Sequence, residues 1–226
     1  MIKITNTEVY GWEAAIRGMR NPMNSWDKSD SFLCKRHLVC DDCEAYNAAV
    51  FDEDSCEKYN TIGENDLSLM KKLGNAGPDH GKFLRMITVT ADVLAPLYWY
   101  KEFDTYKVGT VANSCSTMHK IHAKEFSLDD FSHEHLVGRA LNTLEDVVDE
   151  LNAFRESFLQ TKSKSMWWQL IQLLPSSYNQ LRTVQLNYQV LRRMYHARKH
   201  HKLDEWRDFC AWIKTLPYSE LITGED

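Results

Sequence analysis

The stretch from Asp79 to Thr110, DHGKFLRMITVTADVLAPLYWYKEFDTYKVGT, changes its hydrophobic pattern twice. Residues 83–93 alternate between apolar and polar side chains and are rich in β-branched residues, which predicts a strand. Pro96 stands where the first turn of a helix begins, so the aromatic run after it predicts a short helix. The residues around Gly109 are small or polar and suit contact with a ligand better than a hydrophobic interior.

The flanking sequence extends this pattern to an α+β fold, with a central antiparallel or mixed sheet flanked by helices. Residues 4–9 begin with an alternation of apolar and polar side chains, and the apolar residues of Trp12–Met19 recur at helical spacing. Another helix follows Gly63, with Asn65 or Asp66 as its predicted N-cap and Gly74 as its predicted end. The second half is predicted to be mostly helical, over residues 127–160 with a cap formed by Ser127 and Asp130, and over residues 165–175, 176–201 and 202–217.

The length of 226 residues is enough for one sizeable hydrophobic core and predicts one domain over residues 1–226. The net charge of −5 shows no basic excess, so we expect no nucleic acid as a partner. No apolar run approaches the roughly 18 residues of a membrane span. The first twelve residues also lack the apolar core of a signal peptide, and we therefore expect a cytoplasmic protein without a membrane partner.

Residues 24–62 are polar, irregular and rich in cysteine, which predicts a long loop or an inserted lobe with a short helix near residues 43–51. Within it, Cys40 and Cys43 are separated by two residues, a spacing that lets two thiolates bind one zinc ion. A second close pair is missing, because Cys56 stands alone. Free thiols in a loop are the alternative, and a redox role is weaker because no strand-to-helix context precedes the pair.

Three segments are candidates for a functional site on their chemistry, each with plain solvated surface as the alternative. His80 stands between glycines, where the backbone can approach a ligand closely. Arg198 belongs to a basic helical segment with Arg192 and Arg193, and arginine suits bidentate recognition of phosphate or carbonyl groups. The polar loop supplies donors for a phosphate or a nucleobase, namely Lys107, Thr110, Asn113, Ser114, Ser116 and His119.

Together these segments resemble the flavin-dependent thymidylate synthases. That family shows a histidine segment, a strand, an Ala-Pro helix start and then the motif R-H-R-x-x-S-x-N-x-x-S-x-R-Y. Residues 79–110 fit this pattern without a gap: His80 falls on the family histidine, Ala95-Pro96 on the Ala-Pro, and Thr105-Tyr106-Lys107 on the R-H-R triplet. Further matches are Arg17 near the N-terminus, Leu174-Pro175, Asn187 and Arg198, with Gln189 at a second family arginine.

Most motif positions are altered, and two registers stay open. In one register Thr110 stands at the first motif serine, Ala112 at the asparagine, Cys115 at the second serine and Thr117 at the final arginine. A shift by one residue instead puts Asn113, Ser116 and His119 on the asparagine, serine and tyrosine. Lys107 alone keeps a charge in the triplet; it can act as a point-charge phosphate partner, but it lacks the guanidinium fork.

The resemblance implies an enzyme that methylates dUMP, with methylenetetrahydrofolate as carbon donor, reduced FAD as hydride donor and NADPH as a further partner. Arg198 would be the catalytic residue, because it would stabilise charge developing on the pyrimidine. The family also implies a homotetramer, which the seven Trp and ten Tyr residues suit. The implied FAD contacts are His80, Tyr106 and Asn187, and the implied nucleotide contacts are Lys107, Thr110, Cys115, Gln189 and Arg198.

Two alternatives to the enzyme remain on sequence grounds. The first is a non-catalytic protein that binds a nucleotide or a nucleotide-derived signal on the same scaffold, since the flavin-anchoring triplet is lost. The second is a zinc-stabilised interaction protein that uses residues 24–62. Bound flavin distinguishes the enzyme from the nucleotide binder, and metal analysis tests the zinc-stabilised interaction protein.

Overall fold

A computed structural model describes residues 1–31 and 62–224. The proposed zinc ligands Cys40 and Cys43, and the short helix predicted near residues 43–51, lie outside the described residues. Of the described cysteines, Cys115 is exposed and Cys210 is buried.

A four-stranded antiparallel sheet forms the centre of the fold, in the order β1-β2-β4-β3. Its strands are β1 (Lys3–Tyr10), β2 (Thr88–Pro96), β3 (Val111–Ser114) and β4 (Asn179–Asn187). Strand β2 pairs with β4 along its whole length, from Thr88 opposite Asn187 to Pro96 opposite Asn179. The predicted α+β class and its central sheet are therefore confirmed.

One face of the sheet carries the core, because apolar residues alternate along the two central strands. Val89 and Ala91 of β2 lie opposite Leu186 and Val184 of β4, and all four are buried. On the other face, Asp92 accepts hydrogen bonds from Asn6 of β1 and Thr183 of β4.

Eight α-helices occur within the described residues. They are α1 (Trp12–Arg20), α2 (Glu64–Asn75), α3 (Leu97–Phe103), α4 (Arg139–Thr161), α5 (Lys164–Leu173), α6 (Tyr188–Arg198), α7 (Asp204–Ile213) and α8 (Glu220–Thr223). Across residues 1–31 and 62–224, no helix combines the length and apolar character needed to cross a bilayer.

The helices pack into two hydrophobic clusters. The larger cluster joins the core face of the sheet to α1, α2, α3, α6, α7 and α8, with Trp99 and Trp206 fully buried at its centre. The smaller cluster is the hairpin of α4 and α5 around Leu151, Leu170 and Phe131. Phe131 bridges to Tyr178 just before β4, and this contact attaches the hairpin to the end of the sheet.

The helix predicted over residues 176–201 is wrong in its first half. Residues 179–187 form β4, and the helix begins only at Tyr188. Val184 and Leu186 are buried while Thr183 and Gln185 are exposed, which is a two-residue alternation. Pairing with β2 on one side and β3 on the other gives this segment a place in the sheet that its local sequence does not specify.

Several element boundaries also differ from the predictions. The strand predicted at residues 83–93 begins at Thr88, after a 3₁₀ turn at Gly81–Arg85. Pro96 ends that strand and is the N-cap of α3, not its first residue. The capping box predicted for Ser127 and Asp130 is confirmed, although it caps a short 3₁₀ turn ahead of α4.

The start of α2 is fixed by a residue from elsewhere in the chain. The N-cap position is Gly63, which has no side chain to offer, so the prediction of Asn65 or Asp66 as cap is wrong. The carboxylate of Asp30 instead accepts hydrogen bonds from the backbone N–H groups of Asn65 and Asp66. It thereby satisfies two donors that the first turn of any helix leaves unpaired.

Candidate functional site

The junction between β4 and α6 is built around Asn187, one of the residues predicted to contact FAD. Its Oδ1 accepts a hydrogen bond from the backbone N–H of Val190 at 2.9 Å, which caps α6 and turns the chain from strand to helix. The next residue, Tyr188, is fully buried, and burial raises the pKa of its hydroxyl. That hydroxyl donates to the carbonyl of Pro217, so Tyr188 anchors the start of the helix.

Two glycines let neighbouring loops approach this junction closely. Gly109 has a positive φ of 83°, and a Cβ at this position would lie 2.5 Å from Nδ2 of Asn187. A Cβ on Gly81 would lie 3.4 Å from Oε1 of Gln189. The structure therefore brings the Gly109 loop, the segment after His80 and the first turn of α6 together, while the His80 side chain itself is exposed.

Arg198 lies at the other end of α6 and contacts three side chains. Its Nη1 forms an ion pair with Oε2 of Glu102 at 2.6 Å, and its Nε donates to the hydroxyl of Tyr106 at 3.1 Å. The guanidinium also lies over the ring of Trp206, 4.8 Å from the centroid. Because these contacts come from α3, the following loop and α7, the arginine is held from several sides.

Glu102 is fixed in turn by the core. The buried Trp206 donates its indole N–H to Oε2 of Glu102 at 3.0 Å, and Nε2 of His201 lies 3.4 Å from the same oxygen. Trp206 packs against Trp99 and Phe209, so its indole has little freedom. A charge-assisted contact to a rigid indole holds the carboxylate in one place.

The loop of residues 104–110 contacts both ends of α6. These two ends are about 15 Å apart along the helix axis. Within it, the hydroxyl of Thr110 donates to the carbonyl of Tyr106, and the hydroxyl of Thr105 donates to the carbonyl of Glu102. Lys107 is exposed, and no carboxylate in the described part of the chain forms an ion pair with it.

Cys115 is placed apart from these residues. It follows β3, whose last residue Ser114 lies opposite Arg182, roughly 17 Å along β4 from Asn187. Its backbone N–H donates to Leu181, and its carbonyl accepts a hydrogen bond from the side chain of Gln180. The structure thus groups Asn187, Gln189 and the Gly109 loop at one end of α6 and Tyr106 and Arg198 at the other, without Cys115.

Sequence reasoning missed Glu102 and Trp206. Glu102 lies one helical turn before Tyr106, a position that the sequence marks only by its charge. Trp206 is about a hundred residues from Glu102 and reaches it only through the packing of α7 against α3. In residues 1–31 and 62–224, no group of three or more His, Cys, Asp or Glu side chains is arranged to hold a metal ion.

Solved structures with a similar fold span nearly the whole chain. Thymidylate synthase X from Helicobacter pylori, crystallised with FAD and dUMP, aligns with a TM-score of 0.67 and 14% identity over 99% of this chain and 98% of its own. A UMP/dUMP methylase, PolB from Streptomyces cacaoi, bound with 5-Br dUMP, aligns with a TM-score of 0.58 and 12% identity over 99% of this chain and 95% of its own. No family model matches the sequence, and no curated protein matches it by sequence.

The fold is therefore that of the flavin-dependent thymidylate synthases, and the resemblance predicted from the motifs is confirmed at the level of the fold. This chain is a divergent example of that fold. It has Thr105, Tyr106 and Lys107 at the positions where the R-H-R triplet of the family is expected. Fold alone does not define function, so the chemistry follows from the residues of the site.

Proposed function

We propose that this protein acts on a pyrimidine deoxynucleotide, by methyl transfer to dUMP or a related modification of the ring. The observation that carries the proposal is Arg198, which is fixed at the end of α6 by Tyr106, Glu102 and Trp206. Its Nη2 takes part in no hydrogen bond with the described residues and is free to donate to a ring carbonyl. Such a fixed donor costs little reorganisation when a ligand binds.

In this proposal the nucleotide lies along the loop of residues 104–110. Lys107 would pair with the phosphate as a point charge, and Thr110 and Gln189 would contact the nucleotide near the start of α6. Cys115 is left out of this arrangement because it lies at the far end of β3. Two solved structures of the same fold contain dUMP, which supports this choice of ligand.

The described residues fit FAD as the cofactor, because several of them keep donors for its phosphate and carbonyl oxygens. Tyr106 accepts a hydrogen bond from Arg198 and still has its own O–H to donate. Asn187 uses Oδ1 as a cap, while Nδ2 has no hydrogen-bond partner in the described part of the chain. Together with the exposed His80, these residues would hold the flavin, which would supply the hydride for the methyl transfer.

Folate, NADPH, a homotetramer and a cytoplasmic location complete the proposal. Apolar side chains on the open face of the sheet support subunit contact, since Tyr10, Val111 and Leu181 are all exposed. Light scattering during gel filtration tests the oligomer, and a monomer would contradict it.

The first experiment is the visible absorption spectrum of the purified protein after incubation with FAD and desalting, with dUMP present and absent. A retained flavin spectrum is expected, followed by turnover of dUMP with methylenetetrahydrofolate and NADPH. Arg198→Ala should abolish turnover. Arg193→Ala is the matched control, because Arg193 lies on the same helix with an exposed side chain. A protein that retains no flavin under either condition contradicts the enzymatic proposal.

A non-catalytic nucleotide binder is the second candidate, and the altered triplet favours it. Thr105 turns its hydroxyl back to Glu102, and Tyr106 packs against Trp206, so two of the three triplet positions make contacts within the fold. Binding of dUMP without retention of flavin and without turnover would select this function. Titration calorimetry with dUMP separates it from a protein that binds no nucleotide.

A further inference from the structure

The ion pair between Glu102 and Arg198 leaves one acceptor and one donor without partners. All three contacts to the Glu102 carboxylate, from Arg198, Trp206 and His201, involve Oε2. Oε1 of Glu102 and Nη2 of Arg198 take part in no hydrogen bond with residues 1–31 or 62–224. The pair therefore offers a hydrogen-bond acceptor on one residue and a donor on the next.

Solvent reaches both residues, so a ligand can reach them as well. The side chains are 36% exposed for Glu102 and 20% exposed for Arg198. Trp206 donates to the Glu102 carboxylate and Arg198 donates to the Tyr106 hydroxyl, which restricts how either group can reorient. Because the orientation is fixed before a ligand arrives, the pair can discriminate between ligands by hydrogen-bond pattern.

The pair is also electrically balanced. A carboxylate 2.6 Å from the guanidinium offsets its charge, so the site presents hydrogen-bonding groups without a net positive charge. Such a pair favours a neutral heterocycle with a matching edge over an anionic one. The matching edge has an N–H group next to a carbonyl oxygen, because the N–H donates to Glu102 and the oxygen accepts from Arg198.

We propose that Glu102 is a specificity-determining residue that selects uracil over cytosine. This inference rests on the proposed function, in which the pyrimidine lies against Arg198. The N3 atom of uracil carries a hydrogen and lies beside a carbonyl, so it matches the pair. The N3 atom of cytosine is an acceptor beside the same carbonyl, so it meets the lone pairs of Oε1 and is rejected.

Glu102→Gln reverses the pattern without changing the shape of the side chain. Trp206 and Arg198 are both donors, so they hold the amide oxygen of the glutamine on their side. The amide NH₂ then replaces Oε1 and faces the ligand as a donor. The variant presents two donors, which match the two acceptors of cytosine and repel the N3–H of uracil.

The test is titration calorimetry of the full chain with dUMP and dCMP, in the presence of FAD, for the wild type and for Glu102→Gln. The wild type should bind dUMP more tightly than dCMP. The variant should shift the ratio of the two dissociation constants toward dCMP by about tenfold or more. Glu145→Gln, an exposed glutamate on α4, is the control and should leave the ratio unchanged.

Each outcome has one meaning. Equal losses of affinity for both nucleotides would show that Glu102 only holds Arg198 in place, and would overturn the inference while the proposed function stands. A wild type without preference for dUMP would do the same. A wild type that binds neither nucleotide overturns the proposed function and this inference with it.

A measurement on the wild type covers the case in which the variant does not fold. N3-methyl-dUMP has no N3–H, so its binding should be weaker than that of dUMP by about tenfold or more. Equal affinity for dUMP and N3-methyl-dUMP would overturn the inference.

Discussion

Arg20 and Asp66 form an ion pair with 2.6 Å between Nε and Oδ1, and both side chains are buried. The other carboxylate oxygen of Asp66 accepts hydrogen bonds from Ser29 and Ser31. The remaining guanidinium nitrogens of Arg20 donate to Ser25 and to the carbonyl of Lys28. This network ties residues 20–31 to the first turn of α2.

Asp66→Asn should lower the free energy of unfolding by about 3–5 kcal/mol, because it leaves the Arg20 charge buried without its counter-ion. Urea denaturation of the two proteins at neutral pH measures the loss. Glu13→Gln is the control: Glu13 pairs with Arg17 at 3.7 Å, but both side chains are more than half exposed, so its change should stay below about 0.5 kcal/mol. Equal losses for the two variants would refute the structural role assigned to the buried pair.

Gly109→Ala should destabilise the junction at the start of α6. The positive φ of 83° alone costs a side chain about 1–3 kcal/mol, and the added Cβ would also displace the Asn187 side chain that caps the helix. Thermal and urea denaturation measure the loss. Gly77→Ala is the control. Gly77 also has a positive φ, of 108°, but a Cβ added there would meet no atom within 4 Å, so this variant measures the cost of the backbone conformation alone. If Gly77→Ala is as costly as Gly109→Ala, the contact with Asn187 contributes nothing.

Trp206→Phe should cost about 1.5–3 kcal/mol more than Trp99→Phe, although both indoles are fully buried in the same cluster. Trp206 donates to the Glu102 carboxylate, whereas the indole nitrogen of Trp99 is buried without a hydrogen-bond partner. Both variants lose a similar volume, so the difference in unfolding free energy reports the hydrogen bond. Variants of equal stability would mean that the contact between Trp206 and Glu102 adds no net stability.

The hairpin of α4 and α5 should lose stability as the pH falls. Burial lowers the pKa of His122, and the charges of Lys162, Lys120 and Arg155 lower it further. A histidine with a depressed pKa binds its proton more readily in the unfolded chain. The contribution of His122 to the free energy of unfolding is therefore fully present above its unfolded-state pKa of about 6.5. It is lost as the pH falls toward the lower pKa of the folded state.

Unfolding free energies measured at pH 7.5 and 5.5 test this expectation. His122→Gln should flatten the decrease between the two values, because the titrating group is gone. His119→Gln changes an exposed histidine and should leave the decrease as it is in the wild type. An unchanged decrease in His122→Gln would assign the pH dependence to other groups.

The local sequence predicted those elements whose hydrophobic periodicity or cap depends only on neighbouring residues. The alternation after Phe83 identified β2, and the helical segment predicted over residues 127–160 contains most of α4. The capping box of Ser127 and Asp130 was predictable because its partners are three residues apart. Boundaries were displaced where a cap came from a distant residue, as with Asp30 at the start of α2.

The sequence indicated some residues of the candidate site but not how they are arranged. The family motif selected Arg198, Asn187 and Tyr106, and the structure brings them to the two ends of α6. Which contacts they make depends on residues such as Glu102 and Trp206, whose roles arise only when α3 and α7 pack together. No local pattern encodes an ion pair between residues about a hundred positions apart.

By itself, the sequence determined the α+β class, the resemblance to flavin-dependent thymidylate synthases and the replacement of two of the three charged triplet residues, because these depend on residue identity and short-range periodicity. Only the tertiary structure decided that residues 179–187 are a central strand and that Arg198 is already paired with Glu102. The reason is the same in both cases. Strand pairing and ion pairing are contacts between distant segments, and their free energy appears only after the chain has closed the loops between them.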